Sequence, residues 1–236
     1  MKSNFAKCLP EILKHEGGWA DHPKDPGGAT MKGITIGTYR QWKGRAVTKA
    51  ELRAISDAEV AAIYKRNYWD KVRGDDLPAG LDLVAFDAAV NSGPARGARW
   101  LQTALGVAAD GKVGPKTVAA AMEAETATAI NRALDVRLSF LKGLRTWPTF
   151  GKGWGRRVSD VRKVALGMVG SKPVEAPKRP AQRASAPKAS TPAKEAVGGL
   201  AGGLTGGGVV LALVAFGDSL WRGFVRFADI ITFWTP

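Results

Sequence analysis

The 236-residue chain predicts a mainly α fold. Apolar residues recur at three- and four-residue spacing, strand-like alternation is scarce, and the composition shifts sharply near residue 170. Phe5, Cys8, Leu9, Ile12 and Leu13 mark a first helix. Ser3 is its expected N-cap, Gly17 and Gly18 its expected stop, and Pro10 predicts a kink or a late start. The segment Ala29 to Thr38 reads as a short β-hairpin. Ser56 and Glu59 form a capping-box pattern ahead of Val60, Ile63, Tyr64, Asn67 and Tyr68. Leu81, Val84, Ala85 and Ala88 predict a buried helix ending near Asn91-Ser92-Gly93. Ile130, Leu134, Leu138, Leu141 and Leu144 give another apolar stripe, and Trp154, Val158, Val161 and Ala165 the last. A stretch of about 170 residues can bury a sizeable core without disulfides.

Residues 15 to 35 carry the chemistry. Glu16 closes the first apolar-periodic segment, and Asp25 opens a Pro-Gly-Gly turn that leads to Thr30. Glycoside hydrolysis needs two such carboxyl groups. One donates a proton to the leaving oxygen, and the other acts as nucleophile, positions a water or stabilises positive charge. At a helix end, with Trp19 adding desolvation, Glu16 is expected to have a raised pKa, which suits a general acid.

These residues also resemble a family signature. Glu16-Gly17-Gly18-Trp19, Asp25 to Thr30 and Gly33-Ile34-Thr35 match the pattern of the family 108 glycoside hydrolases, N-acetylmuramidases found in phage endolysins and bacterial wall-remodelling proteins. Trp19 stands where tyrosine is commoner. The resemblance implies a lysozyme-like helical domain, with Glu16 as catalytic acid and the hairpin near the active site. A looser similarity to other phage lysozymes implies roles for Asp25 and Thr30, with Asp21 competing for the place of second carboxylate. Trp19 and Asn91 are the candidate substrate contacts, though Asn91 reads more readily as a cap or turn residue.

Other chemistries find little support. Two histidines and one cysteine offer no cluster of zinc ligands, so neither a metal nor any other cofactor is expected. His15 and His22 flank Glu16, either tuning it or facing solvent from turns. Cys8 is expected to be a buried core residue. No phosphate-cradling Gly-x-x-x-x-Gly-Lys loop followed by Ser or Thr is present.

Farther along, Arg99-Trp100-Leu101-Gln102 precedes Asp110-Gly111-Lys112-Val113-Gly114-Pro115-Lys116-Thr117. This resembles a peptidoglycan-binding domain that commonly follows the family 108 catalytic segment. From the residues alone, Asp110-Gly111 is a turn and Pro115 suits the first turn of a helix. The motif is therefore readable either as a sugar contact or as a plain connector.

The organisation expected is a catalytic segment at 1–91, a peptidoglycan-binding-like helical segment packed with it at 92–170, and a Pro/Ala/Lys linker at 171–195. Five prolines and six basic residues leave the linker too little apolar bulk to fold. Residues 196–217 carry no charge, matching the ~20 residues of a transmembrane helix. Their glycines, Gly198, Gly202, Gly206 and Gly199, Gly203, Gly207, form two small-residue ridges suited to homo-oligomer contact in a bilayer. A glycine hinge followed by an interfacial segment is the alternative. Residues 218–236 read as an amphipathic interfacial tail. The net charge of +14 suits anionic lipids and wall polymers; no nucleic-acid motif accompanies it, and no nucleic-acid partner is expected.

The expected partners are peptidoglycan glycan strands and, through the tail, the bacterial inner membrane. Residues 1–16 lack the continuous apolar core of a signal peptide. The expected location is the host cytoplasm or inner membrane, with action on periplasmic peptidoglycan after a breach, as for a phage or prophage endolysin. The alternative is a bacterial membrane-anchored wall-remodelling protein or a non-catalytic peptidoglycan-binding scaffold.

Overall fold

The periodic segments fold into nine helices that gather around a buried central one, as the computed structural model of residues 2–22 and 27–169 describes. In chain order the helices are α1 (Lys2–Leu13), α2 (Ile36–Lys43), α3 (Lys49–Arg53), α4 (Asp57–Tyr64), α5 (Leu81–Ser92), α6 (Pro94–Leu105), α7 (Pro115–Glu123), α8 (Thr126–Lys142) and α9 (Trp147–Met168). A π turn over Lys65–Trp69 and two short 3-10 turns join α4 to α5. Asp25, the linker at 171–195, the uncharged segment 196–217 and the tail at 218–236 lie outside the described residues. Among the described residues, no helix is long and apolar enough to cross a membrane.

Nearly every residue of α5 is buried, and α1, α6, α8 and α9 pack against it. One hydrophobic cluster runs from Cys8 in α1 to Ala165 in α9. Its aromatic centre sets Trp69 edge-on to Phe86 at 5.3 Å and to Phe5 at 5.4 Å, geometry that the ring quadrupoles favour. Asn4 donates to Asp82 at 2.8 Å, a buried hydrogen bond that ties α1 to α5.

Local chemistry explains most boundaries. The capping box at Ser56 and Glu59 starts α4 as expected, and a second one at Thr48 and Glu51 starts α3. Gly93, at φ 87°, ends α5 and lets Pro94 open α6. The first helix differs from expectation. It already includes Lys2, so Ser3 lies within it, and Pro10 neither delays nor ends it. It stops at Leu13 through tightened bonds, His15 N to Ile12 O at 3.0 Å and Glu16 N to Leu13 O at 3.3 Å, and neither Gly17 nor Gly18 takes a positive φ.

The hairpin forms, with a third strand beside it. β1 (Trp19–Ala20), β2 (Thr30–Met31) and β3 (Ile34–Thr35) make an antiparallel sheet in the order β1-β2-β3. The turn between β2 and β3 is the pair Lys32 and Gly33, at φ 48° and 74°. Two left-handed residues are what a tight hairpin turn requires. Each residue of Gly33-Ile34-Thr35 thus has a task. Gly33 makes the turn, Ile34 is buried, and the Thr35 hydroxyl accepts from Thr38 N at 3.1 Å to cap α2.

Candidate active site

Glu16 leaves α1 by that tight turn and enters the interior, where its side chain keeps 4% exposure. A lone buried carboxylate would be costly, and the partner comes from far along the chain. Arg157, on the buried face of α9, donates from Nη1 to Glu16 Oε1 at 3.0 Å. The same guanidinium faces Asp87 of α5, with Nε donating to Oδ1 at 2.9 Å. Its Nη2 lies 2.8 Å from that oxygen but off the hydrogen-bonding axis, so this contact is ionic. Asp87 also accepts from Arg137 Nη1 of α8, and Arg137 Nη2 donates to Asn91 Oδ1 at 2.9 Å. The result is a buried chain, Glu16–Arg157–Asp87–Arg137–Asn91, that ties the turn after α1 to α5, α8 and α9.

The charges in this chain are not shared evenly. Burial disfavours ionisation of Asp87, but Arg157 and then Arg137 outweigh it and hold the carboxyl low. Burial raises Glu16, Arg157 opposes the rise, and Asp87 adds to it; the net direction is upward. Glu16 thus tends to keep a proton that Asp87 gives up. Burial and then the charge of Arg157 hold the His15 imidazole below its ordinary value. Burial drives Cys8 up, as suits an unreactive core thiol.

The other oxygen of Glu16 sits against backbone. A Cβ added to Gly33 would stand 2.9 Å from Glu16 Oε2 and 2.4 Å from the Tyr64 hydroxyl. Tyr64 donates to Lys32 O at 2.8 Å, which pins the hairpin turn over the carboxyl. Tyr68, in the π turn, packs against Tyr64 with ring centres 5.5 Å apart and the rings tilted by 46°. Burial and the proximity of Glu16 push its hydroxyl up to about 12.

The remaining candidates lie around this centre. Thr30 is buried in β2, opposite Ala20, and among the described residues its hydroxyl makes only a long 3.5 Å contact to Gly28 O. Trp19 is half-buried in β1, with the Arg53 guanidinium 5.5 Å above its ring. Asp21 pairs with Lys49 at 2.9 Å on the surface. Asn91 is buried, and its Oδ1 accepts from both Arg137 and Ser92. Among the described residues, no group of three or more His, Cys, Asp or Glu side chains is placed to hold a metal.

Comparison with known proteins identifies both halves of the described chain. The model for Glycosyl hydrolase 108 matches residues 9–93, and the model described as Predicted Peptidoglycan domain matches residues 96–158. The solved structure of Brucella abortus SagA is 51% identical, with a TM-score of 0.63, over 71% of this chain and 97% of that one. The chain belongs to the glycosyl hydrolase 108 family. It is a glycoside hydrolase that acts on peptidoglycan. No functionally curated protein matches it.

Within this glycosyl hydrolase 108 chain, the boundary between the two matched segments falls at the turn between α5 and α6. Glu16 and Asp87 belong to the first segment, Arg137 and Arg157 to the second. Sequence reasoning passed over the last three. A signal existed, since Asp87 interrupts the apolar run of α5 and Arg137 falls on the stripe of Leu134 and Leu141. Opposite charges on core faces of separate helices imply pairing.

The Asp-Gly-x-x-Gly-Pro-x-Thr motif closes on itself around Gln102, a buried residue of α6. Gln102 Nε2 donates to Asp110 Oδ1 at 2.8 Å, Lys112 O at 3.0 Å and Thr117 Oγ1 at 3.1 Å, and its Oε1 accepts from Gly111 N at 2.9 Å. Gly111, at φ 83°, makes the turn, and Pro115 opens α7.

Proposed function

We propose that the enzyme is an N-acetylmuramidase that hydrolyses the β-1,4 bond between N-acetylmuramic acid and N-acetylglucosamine, with Glu16 as its general acid. The observation that carries this reading is the state of Glu16. It is a buried carboxyl biased toward its protonated form, with Oε1 engaged by Arg157 and Oε2 without a hydrogen-bond partner among the described residues. Oε2 delivers the proton to the glycosidic oxygen as the bond to the anomeric carbon of muramic acid breaks. Water adds at that carbon and returns a proton to the site. Asp25 stabilises the developing cation or positions the water, Thr30 assists, and Trp19 and Asn91 are the proposed substrate contacts.

The test is turbidity clearing of purified peptidoglycan by the full chain and its Glu16→Gln variant, with mass spectrometry of the products. Clearing that the substitution abolishes, with muramic acid at the new reducing ends, is the expected result. Equal clearing by both proteins removes Glu16 from the reaction. Reducing ends on glucosamine change the bond cleaved.

The biological role proposed is that of an endolysin, held in the host cytoplasm or at the inner membrane by the charge-free segment 196–217 and its basic approach. Flotation of the full chain with anionic vesicles, and its loss when 196–236 is deleted, tests the attachment. Lysis that depends on a holin-like pore tests the role.

A further inference from the structure

Arg157 presents one guanidinium to two carboxyls, and the contacts are unequal. Asp87 takes a hydrogen bond from Nε and an ionic contact from Nη2, whereas Glu16 takes a hydrogen bond from Nη1 alone. Asp87 is held a second time by Arg137. A cation committed to one carboxylate attracts a proton-bearing neighbour less strongly than a cation left free. We propose that Asp87 is a positioning residue that acts through Arg157, holding the guanidinium on its own carboxylate so that Glu16 remains a proton donor aimed past Gly33. Arg137 and Arg157 come from α8 and α9, so the second matched segment completes the acid site in addition to any contact it makes with the wall.

The inference rests on the reading of Glu16 as general acid. Among the described residues, the charged and titratable groups around Glu16 are Arg157 on α9, Asp87 on α5, Tyr64 at the end of α4, Tyr68 in the π turn and His15 beside it in the chain, with Arg137 on α8 behind Asp87. Tyr64 and Tyr68 are raised and so neutral, and His15 is held low, also toward neutral. Among the described residues, that leaves Arg157 and Asp87, the latter held by Arg137, to set the field at Glu16.

A general acid loses activity as pH rises through its pKa, so the basic limb of the pH profile reports Glu16. Removing the charge of Asp87 frees Arg157 to favour ionised Glu16, which moves that limb to lower pH. Removing the charge of Arg157 does the opposite. A merely structural role for either residue lowers the rate without moving the limb in opposite directions.

The experiment measures initial clearing rates of the full chain between pH 4 and 9 for wild type, Asp87→Asn, Arg157→Met and Arg157→Lys on one wall preparation, so that titration of the wall is common to all four profiles and only differences between their limbs are read. The expected result is a basic limb shifted by about one pH unit downward for Asp87→Asn and upward for Arg157→Met. Arg157→Lys keeps the limb near its wild-type position at reduced rate. Folded variants with unmoved limbs, or limbs moved in the same direction, overturn the proposal.

Should these variants not fold, carbon-13 titration of glutamate carboxyls in the wild-type full chain decides. The Glu16 signal is assigned by its loss in Glu16→Gln. A midpoint above the ordinary glutamate range supports the proposal, and one at or below it overturns the proposal. Undiminished clearing by Glu16→Gln is a separate outcome, which defeats the acid assignment itself.

Discussion

Replacing Gly33 by alanine tests how closely the hairpin turn is fitted over Glu16. Gly33 sits at φ 74°, where an L side chain costs about 1–2 kcal/mol. The new Cβ would stand 2.4 Å from the Tyr64 hydroxyl and 2.9 Å from Glu16 Oε2, so at least one must move. Displacing Tyr64 breaks its bond to Lys32 O, worth about 1 kcal/mol. Overpacking adds about 1 kcal/mol or more. The sum is roughly 3–5 kcal/mol, or a fall in Tm of about 6–20 °C at the scale of a chain this size. Because the displaced atom is the proposed proton donor, clearing should fall about 100-fold, the cost of a misplacement of about 1 Å.

Two neighbouring glycines supply the comparison. At Gly28, also at positive φ, the added Cβ meets only Ile36, at 3.4 Å, among the described residues, so the alanine variant should lose about 1–2 kcal/mol. Gly18 has neither a positive φ nor any atom within 4 Å of an added Cβ, so its variant should melt with the wild type. Thermal melts by circular dichroism read the series. A Gly33→Ala protein that melts like Gly28→Ala and clears at the wild-type rate would refute the placement of Glu16 Oε2 against this turn.

Gln102→Ala should cost about 2–4 kcal/mol, because it leaves the carbonyl of Lys112 and the amide of Gly111 without their partner. If the motif is an internal staple, clearing well below the melting temperature stays near wild type; a wall-binding defect in the folded variant counts against that. Glu16→Gln should gain stability relative to wild type as pH rises. With the folded pKa raised above the ordinary glutamate value of about 4.5, the unfolded chain releases its proton first. Wild-type stability therefore falls from that pH upward to the raised value, and the amide escapes the loss. A difference in Tm that is flat or reversed between pH 4 and 8 would show that Glu16 is not held protonated.

What the sequence revealed and what it withheld divide along the range of the interactions. Caps and turns depend on a few adjacent residues, so Ser56 and Glu59, Asp110-Gly111 and the hairpin could be read directly. The end of α1 could not, because the glycines that resemble a helix stop are not used as one; burial of Glu16 draws the chain inward before Gly17. The helical stripes at 130–144 and 154–165 marked the right helices while hiding Arg137 and Arg157. A pattern search for apolar faces discards the charged residue within a face, and it was the discarded residues that build the site.

That omission bears on how the two matched segments relate. Each carries a local motif that looks self-sufficient: Glu16 to Thr35 in one, Asp110 to Thr117 in the other. Yet the second motif spends its polar groups on Gln102, whereas the two arginines outside it reach across the core to Asp87 and Glu16. Burying four ionisable groups together is expensive, and replacing such a network with apolar side chains often stabilises a fold. Its presence beneath the proposed proton donor is better explained by what the charges do to Glu16 than by cohesion. Glu16 and Arg157 are 141 residues apart, so the acid acquires its environment only when α9 has docked on α5. Chain truncated before α9 should therefore lose the bias at Glu16 along with the packing, and the catalytic motif alone should not clear peptidoglycan.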